Sequence, residues 1–197
     1  MRYSQIPKEQ INQMAQDVYQ NAVHHGWHDD KRPVEHFLCL VITELMEAVE
    51  ADRKDRHANL ESFNNAASVY PWGKCFEAHI KDTVEDELAD AAIRLLDIAG
   101  ALSVELNPSG YDEADRELMI PDAEFTIIAY VLTAELAIHL EVVEEEVWGE
   151  ELEFIINDVL CLLFMVADKF SFDLMTFIQL KMRYNTLRAF RHGGKKY

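Results

Sequence analysis

Length and composition already limit what this chain can be. It has 197 residues, a mass of 22.8 kDa, 49% hydrophobic residues and 27% charged residues. This is enough chain for one compact domain, or for two small halves that share a core, and it is too apolar for a disordered tail. Only 7 glycines and 5 prolines are present, which argues against a β-sandwich with many turns and favours long helices.

Charge gives the first indication of function. The 36 acidic residues outnumber the 18 basic ones, so the formal net charge is −18. A body this acidic repels phosphate backbones, which excludes nucleic-acid binding through a general basic face. Residues 181–197 differ, because they hold six basic residues and no acidic one. A cationic segment on an acidic body can still hold an anionic ligand, provided that cations mask the acids.

Neither the cysteines nor the apolar segments indicate secretion or membrane insertion. Cys39, Cys75 and Cys161 are far apart and match no metal or redox spacing, which predicts a reduced, cytoplasmic protein. The N-terminal segment is too polar for a signal peptide. The longest apolar run, residues 159–167, has nine residues and is too short to span a bilayer, so no membrane partner is expected.

The sequence predicts mainly helices, bounded by prolines, glycines and capping residues. Pro33 suits a first helical turn, Asp82 and Glu85 have the spacing of a capping box, and Ser171 is a good N-cap. No run of alternating apolar residues lies between hairpin turns, so essentially no sheet is expected. In chain order the predicted helices cover about 7–25, 33–53, 57–67 within an irregular stretch 54–81, 82–106, 122–147, 150–169 and 172–190.

A weak internal repeat refines this picture. Residues 87–106 can be laid on residues 155–174 without gaps, which pairs Asp90 with Asp158. The predicted fold class is therefore all-α: a helical bundle of about six main helices with a four-helix core, built from two α-hairpins that are pseudo-repeats of each other. Chance similarity between long apolar helices is an equally good explanation of the repeat.

Two pairs of acidic residues carry the main chemical signal. Glu44 and Glu47 lie three residues apart on one predicted helix, and Glu87 and Asp90 on another, so each pair projects to one side of its helix. On the second helix the polar stripe is narrow and lies between two apolar faces. Ionised carboxylates in such surroundings need a positive partner, and an all-oxygen set suits Mg²⁺, with Mn²⁺ as an alternative. The competing interpretation is a solvated acidic surface.

These pairs resemble the metal-binding signature of a known family. Glu44-x-x-Glu47 and Glu87-x-x-Asp90 are similar to the motifs of the all-α nucleoside triphosphate pyrophosphohydrolases, the MazG-like proteins and their dimeric dUTPase relatives. Residues 11–27, 84–106 and 180–197 also resemble segments of small MazG-like proteins, so the similarity covers somewhat over half of the chain.

The resemblance implies an activity and a set of site residues. The expected reaction is Mg²⁺-dependent hydrolysis of a nucleoside triphosphate to a nucleoside monophosphate and pyrophosphate. The two acidic pairs would be both the metal ligands and the catalytic residues. Residues expected to bind the substrate are Lys181, Asn185 and Arg188, which share one face of the last predicted helix, together with Arg94 and Trp72.

Two features depart from the family pattern. The acidic pairs are separated by residues 48–86, a longer gap than is usual, and residues 107–170 lack a clear counterpart in small members. We therefore interpret the chain as a single domain over 1–197. It would comprise a catalytic half (about 1–107), a degenerate structural half (about 122–170), and a basic C-terminal helix and tail (about 171–197). The second half would replace a partner's hairpin, which leaves a homodimer or a monomer open.

Two other functions remain open at this stage. One is a non-catalytic helical scaffold, derived from this fold, that binds a nucleotide or a protein partner. The other is an enzyme with dUTPase-like specificity, since no residue of the sequence identifies the preferred base.

Overall fold

The computed structural model describes residues 1–114, 116, 120, 122–138 and 148–191. This part of the chain is all-α, as predicted, and contains no strand. The predicted helix over 122–147 and the predicted basic tail fall partly outside it. The described residues form the α-helices α1 (Lys8–His24), α2 (Val34–Asp52), α3 (Leu60–Ala67), α4 (Trp72–His79), α5 (Val84–Leu102), α6 (Phe125–Ile138), α7 (Trp148–Lys169) and α8 (Leu174–Thr186).

Four long helices form the predicted four-helix core. α2 packs against α5 and α6, and α7 packs against α5 and α6, while α1 and α8 also pack against α5. α5 is therefore the central helix, and even the acidic residues of its first turn are buried. No helix among the described residues is both long and apolar enough to cross a membrane.

Capping explains where α5 and α8 begin. The Thr83 side chain accepts a hydrogen bond from the Asp86 amide at 3.3 Å at the start of α5, and Asp173 accepts one from the Thr176 amide at 3.2 Å at the start of α8. The predicted caps were each placed slightly early. Asp82 and Ser171 adopt positive φ angles of 59° and 63°, so each forms the turn before its helix.

Close packing of α1 on α5 requires a glycine. A Cβ atom built on Gly100 would lie 2.4 Å from the carbonyl oxygen of Ala15 and 2.7 Å from the Cβ of Tyr19. We expect Gly100→Ala to push the two helices apart and lower the free energy of unfolding by about 3 kcal/mol, as measured by urea denaturation.

Gly73, in α4, provides the matched control for that substitution. A Cβ atom there would meet only the Cδ1 of Leu187 at 3.6 Å, an ordinary contact. Because alanine favours a helix over glycine, Gly73→Ala should raise the free energy of unfolding by about 0.5–1 kcal/mol. Equal effects of the two substitutions would contradict the close approach of α1 to α5.

Candidate functional site

A cleft lies between α1, α2, α5 and α8, with a cavity volume of about 360 Å³. α2 and α5 contribute carboxylates to its lining, and α8 contributes basic and amide side chains. The volume is within the range of small-molecule sites. The cleft therefore joins the two groups of residues that the sequence identified separately.

The two acidic pairs meet across the contact between α2 and α5. One oxygen each of Glu44, Glu47 and Glu87 lie within 4.8 Å of one another. Glu44 is 7% exposed and Glu87 is 4% exposed, whereas Glu47 faces solvent. Three carboxylates that approach so closely repel each other unless a cation or a proton lies between them.

A second acidic cluster overlaps the first. One oxygen each of Asp86, Glu87 and Asp90 also lie within 4.8 Å of one another, so Glu87 belongs to both clusters. The sequence prediction missed Asp86, which is 1% exposed and has an Oδ1 atom without a hydrogen-bond partner among the described residues. The sequence could have indicated Asp86, because it lies one helical turn before Asp90 and residues four apart share a helix face.

Two cations of the chain itself already contact these clusters. The Nζ of Lys181 lies 2.7 Å from the Oδ2 of Asp86 and 2.6 Å from the Oδ2 of Asp90. Arg94 donates from Nε and Nη2 to one oxygen of Glu44, both at 3.0 Å. Lys181 and Arg94 were expected to bind substrate. Both line the cleft, but their charged groups are engaged by the acids.

The other expected substrate-binding residues lie in two different places. Asn185 and Arg188 line the cleft, and the buried Oδ1 of Asn185 has no hydrogen-bond partner in the part of the chain that the structure describes. Within the described ranges, the Arg188 side chain makes no ion pair with a carboxylate. Trp72 is not among the cleft-lining residues. It stacks on Phe76 with ring centroids 5.5 Å apart, and Trp27 lines the cleft instead.

Burial shifts the protonation of the central carboxylates. Burial, reinforced by the charge of Asp90 and opposed by Arg94, raises the pKa of Glu44 to about 7. Burial, with Asp90 again adding to it and Lys181 opposing it, raises the pKa of Glu87 to about 8. Burial alone would lower the pKa of Lys181. The negative charges of Asp90 and Asp86 outweigh this effect and raise that pKa, which favours the charged ammonium form.

These residues fit a hard divalent cation. The donor set consists of carboxylate oxygens only, which Mg²⁺ and Mn²⁺ prefer over nitrogen or sulfur ligands. Five carboxylates gather here against the two cations Lys181 and Arg94, so a negative surplus remains to be neutralised. The residues that would hold such an ion are Glu44, Glu47, Glu87 and Asp90, and Asp86 lies in the second cluster with the last two.

The raised pKa values predict how stability depends on pH. A carboxyl group whose pKa rises on folding stabilises the folded state fully below its unfolded-state pKa, near 4.5 for glutamate, and this contribution is lost as pH rises through the folded-state pKa. The metal-free protein should therefore lose on the order of 3 kcal/mol between pH 5 and pH 8.5. Urea denaturation in EDTA at several pH values measures this loss.

Magnesium provides the control for that experiment. Because a divalent cation replaces the protons between the carboxylates, adding Mg²⁺ at pH 8.5 should restore most of the lost stability. Metal-free protein that is equally stable at pH 5 and pH 8.5 would contradict the shifted pKa values of Glu44 and Glu87.

Comparison with known proteins identifies no relative. No family model matches the chain, no curated protein matches its sequence, and no solved structure matches it. The functional interpretation therefore rests on the geometry of this cleft and on the motifs in the sequence.

Proposed function

We propose that this protein is a Mg²⁺-dependent nucleoside triphosphate pyrophosphohydrolase of the MazG-like type, cleaving a nucleoside or deoxynucleoside triphosphate to the monophosphate and pyrophosphate. The observation that carries the proposal is the convergence of Glu44, Glu47 and Glu87, with ligand oxygens within 4.8 Å of one another, in a cleft that basic residues also line. An acidic cluster and basic residues in one cleft suit an anionic substrate that arrives with divalent metal.

The acidic and the basic residues of the cleft would have different roles in this reaction. When bound, Mg²⁺ would neutralise charge on the triphosphate and lower the pKa of a water molecule. Arg188 and Asn185 are available to bind phosphate oxygens, because neither side chain is engaged by a carboxylate within the described part of the chain. Arg94 orients the carboxylate of Glu44 through two donors on one oxygen.

The experiment that tests this proposal is a pyrophosphate-release assay. Purified protein with Mg²⁺ should release pyrophosphate from at least one member of a panel of canonical and modified nucleoside triphosphates that includes dUTP. Glu47→Gln and Asp90→Asn should each abolish release while the far-ultraviolet circular dichroism stays unchanged. Glu50→Gln is the matched control, because Glu50 is exposed on the same helix as Glu47 and forms surface ion pairs with Arg53 and Lys54.

The outcomes separate the candidate functions. Activity that persists in both Glu47→Gln and Asp90→Asn would refute the site. Binding of Mg²⁺ and nucleotide by calorimetry without any turnover would instead support the non-catalytic scaffold. Turnover confined to dUTP would establish the dUTPase-like specificity.

Assembly and compartment belong to the same proposal. We infer a monomer or a homodimer, which sedimentation equilibrium distinguishes. All three cysteines are free thiols, with Cys75 and Cys161 buried, and this supports a reducing, cytoplasmic site of action.

A further inference from the structure

The chain that follows α8 folds back onto the turn that follows α1. We call residues 187–191 the C-terminal strap. The backbone amide of Arg191 donates to the carbonyl oxygen of His25 at 3.0 Å, and its Nε donates to the carbonyl oxygen of Gly26 at 3.2 Å. Two hydrogen bonds to main-chain oxygens thus tie the strap to the α1–α2 turn. Substituting the side chains of the turn would leave both acceptors in place.

Further contacts hold both ends of the strap. At its end, the Nη2 of Arg191 lies 3.4 Å from Asp29 and 3.3 Å from Asp30. Nearer α8, the Nε2 of His25 lies 3.0 Å from the carbonyl oxygen of Arg188, and the His25 side chain is buried. The ion pairs are partly exposed and individually weak, so the hydrogen bonds to main-chain oxygens carry most of the attachment.

Backbone conformation shows that this docking is specific. Arg191 has a φ angle of 43°, in the left-handed region that costs a non-glycine residue about 1–2 kcal/mol. Gly26 has a φ angle of 79°, and a Cβ atom built on it would lie 2.2 Å from the Cζ of Phe190. Such a strained arginine persists only where its surroundings fix it, and here the turn around Gly26 does so.

The strap matters for the cleft because Arg188 lies within it. α8 ends at Thr186, and the last link from the helix to Arg188 is the Arg188 amide, which donates to the carbonyl oxygen of Asn185 at 3.2 Å. Arg188 lines the cleft from the strap, and Trp27 lines it from the α1–α2 turn. The contacts of Arg191 and His25 join these two segments. A guanidinium on an unattached chain end would have to be ordered each time a substrate binds, and that ordering lowers affinity.

We propose that Arg191 is a positioning residue that fastens the strap to the α1–α2 turn and so holds Arg188 in the cleft for the phosphate groups of the substrate. This role rests on the proposed function. The ordering of Arg188 is completed during folding, so the substrate binds to a wall that is already formed.

Steady-state kinetics and calorimetry test the role of Arg191. Arg191→Ala should raise the KM for the nucleoside triphosphate about tenfold and leave kcat within about twofold, because it weakens binding without removing a group at the reacting atoms. The affinity for a non-hydrolysable triphosphate should fall by the same factor. Arg53→Ala, which removes an exposed arginine from an α2 surface pair, should change neither quantity.

A double-variant comparison distinguishes positioning from a general structural role. In protein that already carries Arg188→Ala, adding Arg191→Ala should have no further effect on KM, since the side chain that it positions is gone. An equal loss of affinity in both backgrounds would overturn the proposal. Phe190→Ala loosens the strap at a different point and should raise KM in the same direction.

Different experimental results would contradict this inference and the proposed function. Wild-type protein that binds a triphosphate as tightly as the Arg191→Ala variant would overturn the positioning role alone. Wild-type protein that neither binds nor hydrolyses any nucleotide would overturn the proposed function, and the role of Arg191 with it.

Discussion

Glu87→Gln should make the metal-free protein more stable while it abolishes metal-dependent activity. Glu87 is 4% exposed and belongs to both acidic clusters, so its negative charge is the most repelled in the cleft. A neutral amide of the same shape removes that repulsion, and the melting temperature in EDTA at pH 8 should rise by about 4–8 °C. The same change removes a proposed metal ligand, so the proposed release of pyrophosphate should fall by at least about 100-fold.

The opposite signs of these two effects make the experiment decisive. A residue that serves only the structure loses stability when it is changed, whereas a ligand in a repulsive cluster gains stability as it loses function. The gain should vanish near pH 5, because Glu87, with a pKa raised to about 8, is protonated there. Differential scanning calorimetry at both pH values measures it. A lower melting temperature for Glu87→Gln in EDTA at pH 8 would contradict the proposed electrostatics.

The helices that frame the site could be predicted closely from the sequence. Prolines precede α1 and α2, and Gly26 follows the end of α1, so both helices were placed within about one residue at each end. α4 was missed because Pro71 and Gly73 appeared to break a helix. In fact Pro71 is the residue before the first helical position of α4, where its missing N–H costs nothing, and Gly73 lies inside the helix.

The end of α5 shows a limit of pattern reasoning. The apolar pattern predicted a helix to residue 106, but α5 ends at Leu102 and Ser103 adopts a left-handed φ of 56°. Leu106 then packs in the core from a non-helical segment, with its amide donating to the Asn12 side chain at 2.9 Å. A local sequence pattern cannot show that the backbone amide of Leu106, after α5, finds its hydrogen-bond partner in a side chain of α1.

The same limit applies inside the cleft. Spacing along each helix predicted that Glu44 and Glu47 share one face, and Glu87 and Asp90 another, and these side chains do gather in the two acidic clusters. The pairing of Lys181 with Asp86 joins residues that are 95 positions apart, and no local pattern reveals it. Lys181 was therefore expected to face the substrate, whereas its ammonium group lies between two carboxylates.

Lys181→Met should destabilise the protein by about 3–5 kcal/mol, the largest loss that we expect from a single substitution here. Lys181 is 4% exposed and Asp86 is 1% exposed, so removing the ammonium group leaves a buried carboxylate without its counter-charge. Methionine keeps most of the apolar volume of the lysine side chain, so the loss reports charge and not a cavity. Urea denaturation in EDTA at pH 7.5 measures it. Lys74→Met, which removes an exposed lysine, should change stability by less than about 0.5 kcal/mol.

A compensating substitution shows whether the loss arises from Asp86. Adding Asp86→Asn to Lys181→Met neutralises the buried carboxylate, while Asp90, with 20% of its side chain exposed, keeps some hydration. The double variant should therefore regain more than half of the lost stability, and the coupling energy between the two positions should be at least about 1–3 kcal/mol. Independent, additive losses would show that Lys181 stabilises the fold through packing of its aliphatic chain. A large coupling would show that α8 is held to α5 by a charge pair at the edge of the proposed metal site.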